Sequence, residues 1–102
     1  MHYKNLFRND ELENLTEELV FREIYKIMER DQPAWSGDME TILDIAAITL
    51  NRVPPKYVTR FIDKHLPREM HQDERIALHA QILQELPNAI ECVLARPRRP
   101  RD

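Results

Sequence analysis

The sequence predicts a mainly helical, single-domain protein of about four helices, with a short extended segment after one proline corner. The 102 residues include one glycine, whereas sheets with many tight turns need more positions that tolerate positive φ. Apolar residues also recur at three- and four-residue spacings over most of the chain. The length suits one domain. Residues 1–95 form the predicted helical domain, and residues 96–102 form a basic C-terminal tail.

The first helix is predicted over about residues 11–30. Asn9 or Asp10 can cap its N-terminus, and the acidic residues of its first turns suit the positive end of the helix dipole. Pro33 follows its far end. The apolar positions form one stripe, which predicts one buried face: Leu12, Leu15, Leu19, Val20, Ile24, Ile27 and Met28.

A second helix is predicted over about residues 39–53, after a loop in which Ser36 or Asp38 supplies the N-cap. Beyond its main apolar stripe, Ile45 and Ile48 place apolar side chains on another face. A helix that is apolar on most sides is surrounded by protein. We therefore expect a homodimer whose contact includes this helix, while burial inside the monomer explains the second face equally well.

Two consecutive prolines, Pro54 and Pro55, end this helix. Proline lacks a backbone N–H and pushes the preceding residue out of the α region. The segment at residues 57–66 follows. Its β-branched and aromatic residues favour an extended conformation, although its apolar spacing also fits a short amphipathic helix.

The last helical stretch is predicted from about Gln72. Ile76, Leu83 and Ile90 fall seven residues apart, and the pattern continues through Pro87. Either one helix is kinked at this proline, or the proline begins a further helix that keeps nearly the same direction.

The charge is unevenly distributed along the chain. The net charge is −3, and because the tail at residues 96–102 carries +3, residues 1–95 carry −6. An acidic body repels a polyanion, so we expect no nucleic-acid binding, whereas a small anion at one basic position is compatible with it. The arginine-rich tail is either a disordered, solubilising end or a strip of cations for an acidic partner or nucleic acid.

Residues for metal binding and catalysis are sparse. His65, His71 and His79 have no partner at the i, i+4 spacing of a helical zinc pair, and Cys92 is the single cysteine. Neither Cys92 nor Ser36 lies in a nucleophile motif, and the sequence has no glycine-rich phosphate loop. We therefore expect no zinc, no cofactor and no enzymatic activity. With no signal peptide and no membrane-spanning run, the expected location is the cytoplasm.

The most informative stretch is LNRVPPKYV, residues 50–58, which places two cations and an aromatic ring around the prolines. It has two interpretations: a helix end with solvated side chains, or a site for a flat anionic ligand. Arginine binds phosphates or guanine edges, tyrosine stacks on bases, and a carboxylate accepts from the guanine N1–H and N2–H₂ groups. The candidate ligand-binding residues are Asn51, Arg52, Lys56, Tyr57, Arg60, Asp63 and, as an outer phosphate contact, Arg98.

A longer segment around this corner resembles a known family. DIAAITLNRVPPKYV, residues 44–58, is similar to the signature of the ComFB-type late competence development proteins, in which Leu-Asn and a basic residue precede paired prolines. NLTEELVFREI and the closing ARPRR also resemble that family. Many of its members carry clustered cysteines before the signature. The corresponding WSGDMETILD has none, which further disfavours a structural zinc.

The resemblance implies a mainly helical, homodimeric and non-enzymatic protein. It also implies a receptor for a cyclic dinucleotide, cyclic di-GMP in particular or cyclic di-AMP, that signals to an unknown downstream protein. The alternative is a protein–protein adaptor in competence or motility regulation without a small ligand. Nucleic-acid binding through the tail is a third, weaker hypothesis, which the acidic body opposes.

Overall fold

The computed structural model describes residues 12–59, 68–96 and 98 of the chain. The described residues confirm the mainly helical class, with three α-helices rather than about four and one short two-stranded sheet. The elements in chain order are strand β1 (Leu12–Asn14), helix α1 (Leu15–Asp31), a 3-10 turn (Ala34–Gly37), helix α2 (Met39–Arg52), strand β2 (Tyr57–Thr59) and helix α3 (Arg68–Ala95).

Helix α1 begins later than the sequence predicts, and its cap is Asn14 rather than Asn9 or Asp10. The Asn14 side chain accepts a hydrogen bond from the Thr16 N–H at 3.1 Å, which satisfies one of the free donors of the first turn. The residues just before it are extended because β1 pairs with β2. At its other end, α1 stops at Gln32, which adopts a left-handed φ of 45°.

The predicted bounds of α2 are confirmed. Asp38 caps its start, accepting from the Glu40 N–H at 3.1 Å and from the Thr41 hydroxyl at 2.8 Å. The helix ends at Arg52, and Val53 is extended with φ −122° and ψ 152°, as a residue that precedes proline should be.

Strands β1 and β2 pair antiparallel, with Asn14 opposite Tyr57 and Leu12 opposite Thr59. The extended conformation favoured by the sequence is therefore confirmed for Tyr57–Thr59. The rest of that predicted segment lies outside the described residues.

Helix α3 is one helix that runs through Pro87, so no new helix begins there. Pro87 cannot donate to the Leu83 carbonyl four residues earlier, yet the helix continues for eight more residues to Ala95. Its buried face packs against α1 and α2. Among the described residues, the main cluster of buried side chains consists of Val20, Ile24, Trp35, Ile42, Ile45, Ala46, Val53, Leu78, Ile82, Leu86, Ala89 and Val93.

The second apolar face of α2 is largely covered within the monomer. Ile45 is fully buried, and Ile48 is half-buried against the same core. The large apolar side chains that α2 exposes are instead Met39 and Leu43, and the small Ala47 is exposed as well. Ile45 and Ile48 therefore give no reason to expect a partner at α2, and the homodimer stays a prediction.

A buried carboxylate joins α1 to α3. Glu23 is 8% exposed, and its Oε1 lies 2.8 Å from Nε2 of His79 and 3.0 Å from Nζ of Lys26. Burial by itself raises the pKa of Glu23, but the hydrogen bonds to His79 and Lys26 outweigh it and bring that pKa below its usual value. Glu23 is thus ionised and doubly paired at neutral pH.

Candidate ligand site at the proline corner

The proline corner is fastened to the N-terminus of α1. Asn14 Oδ1, which caps α1, also accepts the Lys56 N–H at 3.3 Å, and the Lys56 carbonyl accepts the Leu15 N–H at 2.7 Å. The hydroxyl of Thr16, a fully buried residue, donates to the Pro54 carbonyl at 2.8 Å. Three contacts from one helix end therefore fix the backbone of the corner.

Asn14 and Thr16 were not among the site residues predicted from the sequence. Both belong to the NLT that opens the family-like first helix, but their partners lie about forty residues further along the chain. A helix-capping asparagine with a threonine two residues later was the available signal, and it gives no information about which loop the helix end contacts.

The two cations of the corner each have a partner on α3. Lys56 Nζ forms an ion pair with Glu74, and Arg52 Nη1 lies 3.8 Å from Glu85 Oε2. Both pairs are partly exposed, so solvent screens them. The positive charge of the corner is therefore balanced by α3, and an anionic ligand has to compete with two carboxylates.

The aromatic ring of the corner is accessible. Tyr57 is 61% exposed, while its neighbour Val58 and the preceding Val53 are buried and anchor the backbone. Asn51 is also exposed, in the last turn of α2. Asn51, Arg52, Lys56 and Tyr57 thus lie along one seven-residue segment that ends α2 and starts β2.

The remaining predicted residues are placed differently. Arg60 and Asp63 lie outside the described residues. Arg98 binds both carboxylate oxygens of Asp44 on α2, at 2.7 and 2.5 Å, with Glu40 at 4.0 Å. This hydrogen-bonded pairing lowers the pKa of Asp44. Asp44 precedes Asn51 by two helical turns, about 10 Å along the axis, so Arg98 lies at the periphery of the candidate site.

No metal site is apparent in the part of the chain that the structure describes, where no three His, Cys, Asp or Glu side chains are grouped to hold an ion. His65 and the side chain of His71 fall outside that part. The free Cys92 is half-buried on α3. The absence of zinc stays a prediction.

A comparison with protein families shows which family the chain belongs to. The family model described as late competence development protein ComFB matches residues 13–97. The chain belongs to the ComFB family. That description suggests a competence-related role. No curated protein and no solved structure shows a significant match to the chain.

The ComFB match contains the whole corner together with the α1 end that holds it, from Asn14 through Tyr57. It also includes Asp44 and the α3 carboxylates Glu74 and Glu85, whereas Arg98 lies one residue beyond it. Among the described residues, no helix has both the length and the apolar character needed to cross a bilayer.

Proposed function

We propose that this ComFB protein is a non-enzymatic cytoplasmic receptor for a cyclic dinucleotide, with cyclic di-GMP as the first candidate and cyclic di-AMP as the second. The observation that carries the proposal is the exposed Tyr57 ring, which follows Lys56 in the chain and the Arg52 end of α2, on a backbone that Asn14 and Thr16 hold fixed. A preformed corner of this kind binds without a large ordering cost.

Each side chain has a role in this proposal that follows from its chemistry. Tyr57 stacks on a purine, and Arg52 and Lys56 bind phosphate oxygens or the O6 and N7 edge of guanine. Asn51 donates to, or accepts from, a base edge at the rim of the corner. Arg60 adds a further cation, Asp63 accepts from guanine N1–H and N2–H₂, and Arg98 contacts a phosphate from outside.

Signalling follows from the ion pairs with α3. A phosphate that binds Lys56 or Arg52 replaces Glu74 or Glu85 as the partner of that cation. Exposed ion pairs contribute only about 0–1 kcal/mol each, so this exchange costs little. When both cations exchange partners, Glu74 and Glu85 of α3 lose their cations, and that altered surface is what a downstream protein would recognise in the proposed homodimer.

One observation favours a second function, that of a protein–protein adaptor without a small ligand. Arg52 and Lys56 already have carboxylate partners, so the corner is complete as a structural joint between α2 and α3. In that case the acidic first turn of α1 and the arginine tail supply the contacts to other proteins.

Calorimetric titration separates the two functions. The purified chain is titrated with cyclic di-GMP, cyclic di-AMP and the linear dinucleotide pGpG as a control for non-specific phosphate binding. A receptor binds one cyclic ligand with micromolar or tighter affinity and discriminates against the linear one. If none of the three ligands produces a heat of binding, the receptor function is wrong and the adaptor function is the one supported.

A further inference from the structure

Two ion pairs define the side of α3 that is turned to the proline corner. Lys56 pairs with Glu74, and Arg52 Nη1 lies 3.8 Å from Glu85 Oε2. The two glutamates are 11 residues apart on α3. This separation is about three helical turns, so both lie on one line along the helix, about 16 Å from each other. A ligand that contacts Arg52 and Lys56 where they lie must therefore extend along this line.

One further polar side chain lies on this line within the fully described stretch between the two glutamates, and it is Gln81. It follows Glu74 by seven residues and precedes Glu85 by four. These spacings place it about 20° and 40° around the helix from the two glutamates. Leu78, at the neighbouring position on the line, is buried in the core. The carboxamide of Gln81 is thus the group of α3 that a ligand lying along the line meets.

Gln81 is also accessible to a ligand. It is exposed, and its side chain forms no hydrogen bond or ion pair with any of the described residues. His79, two residues earlier, differs in this respect because it contacts Glu23 on α1. A ligand therefore has no internal partner to displace at Gln81, whereas each cation of the corner must first leave a carboxylate.

We propose that Gln81 reads a purine of the cyclic dinucleotide, with its carboxamide forming two hydrogen bonds to the edge of one base. This inference rests on the proposed function and names the residue that α3 contributes to the site. A carboxamide offers an acceptor oxygen beside a donor NH₂ group. It accepts from guanine N1–H and donates to O6, or, with the amide rotated, accepts from adenine N6–H₂ and donates to N1.

This pairing makes a specific difference between glutamine and glutamate at the position. A carboxylate is an acceptor only. It accepts from guanine N1–H and N2–H₂, but it places a second acceptor against the lone pair of adenine N1. Gln81→Glu should therefore discriminate against adenine, whereas glutamine accommodates either purine.

Calorimetric titration of two variants with cyclic di-GMP and cyclic di-AMP tests the assignment. Gln81→Ala should weaken the cyclic ligand that the wild type prefers by roughly five- to a hundredfold. Gln81→Glu should shift the ratio of the two affinities towards cyclic di-GMP by about tenfold or more. Both ligands carry the same phosphate charge, so repulsion by the new carboxylate cancels in this ratio.

Gln72 is the matched control. It is exposed on the same helix, nine residues before Gln81. Nine residues are two and a half turns, so Gln72 lies on the opposite side of α3. Gln72→Ala and Gln72→Glu should leave both affinities unchanged. Gln81→Ala should keep the wild-type melting temperature, because its side chain has no partner in the described part of the chain.

The outcomes separate this role from the proposed function. Wild-type affinity in Gln81→Ala, or an equal loss in Gln72→Ala, overturns the role of Gln81 and leaves the receptor function in place. Loss of both cyclic ligands by the same factor in Gln81→Glu overturns the reading of the base. A wild type that binds neither cyclic ligand overturns the receptor function, and the role of Gln81 with it.

Discussion

The guanidinium of Arg98 binds both carboxylate oxygens of Asp44, at 2.7 and 2.5 Å, and so joins Arg98 to α2. This pair changes the prediction for Arg98. As an outer phosphate contact, Arg98 has to leave a bidentate partner before it reaches a ligand. Asp44 therefore competes directly with the phosphate.

The competition predicts opposite effects of two changes on cyclic di-GMP affinity. Arg98→Ala should weaken binding by about two- to fivefold, and Asp44→Asn should strengthen it by a similar factor, because the pair is exposed and screened. Calorimetric titration measures both. If both variants retain the wild-type affinity, Arg98 serves only as the ion-pair partner of Asp44.

Changes at the corner itself should weaken binding more. Arg52→Ala or Arg60→Ala removes a charge-assisted hydrogen bond of roughly 1.5–3 kcal/mol, so affinity should fall about ten- to a hundredfold. Tyr57→Leu retains apolar bulk but loses the aromatic face, which contributes on the order of 1–3 kcal/mol.

The matched control for these cations is Arg22→Ala. Arg22 also forms an exposed ion pair, with Glu18 at 3.0 Å, on α1 about two helical turns past the end that holds the corner. Lys26 is unsuitable because it binds the buried Glu23. Affinity and melting temperature equal to those of the wild type in all corner variants would make the corner a helix end without ligand function.

Thr16 should matter for stability. Thr16→Val retains the shape of the side chain but removes the part-buried hydrogen bond to the carbonyl of Pro54, an exposed residue, so the expected loss is about 0.5–1.5 kcal/mol. The melting temperature should fall by about 4–8 °C for each kcal/mol in a domain of this size. Thr41→Val is the control, since the Thr41 hydroxyl donates to the exposed Asp38. Equal decreases in melting temperature in the two variants would show that the hydrogen bond from Thr16 to Pro54 stabilises the fold no more than the exposed one from Thr41 to Asp38.

The buried Glu23 predicts a pH dependence. Its pKa in the folded chain is lowered from an ordinary value of 4.5, so its pairing stabilises the fold above that value. The stabilisation is lost as the pH falls through the folded-state pKa. The difference in unfolding free energy between the wild type and Glu23→Gln, measured with urea, should therefore be present at pH 6 and shrink as the pH falls below 4.5. A difference that does not depend on pH would contradict this assignment.

Local signals in the sequence predicted α2 well. Asp38 caps it and Pro54 ends it, and both effects act within a few residues. The start of α1 could not be placed in the same way, because Asn14 is extended through its pairing with Tyr57, far along the chain. Sequence patterns contain no information about such partners.

The candidate site could also be predicted from the sequence only in part. The residues of the corner could be named because the two prolines fix where the helix ends. Their partners Glu74 and Glu85 could not, since helix packing alone decides which carboxylates of α3 face the corner. Sequence reasoning therefore described the cations as available when they are already paired.

The contact between Asn14 and Lys56 also bears on the order of folding. It joins residues 42 positions apart, and closing a flexible loop of that length costs about 3 kcal/mol of chain entropy beyond the constant term. Two three-residue strands cannot offset this cost until α1 and α2 have already met. The small sheet should therefore form late and open first, so the amides of Leu15 and Lys56 should exchange with deuterium sooner than those in the middle of α2.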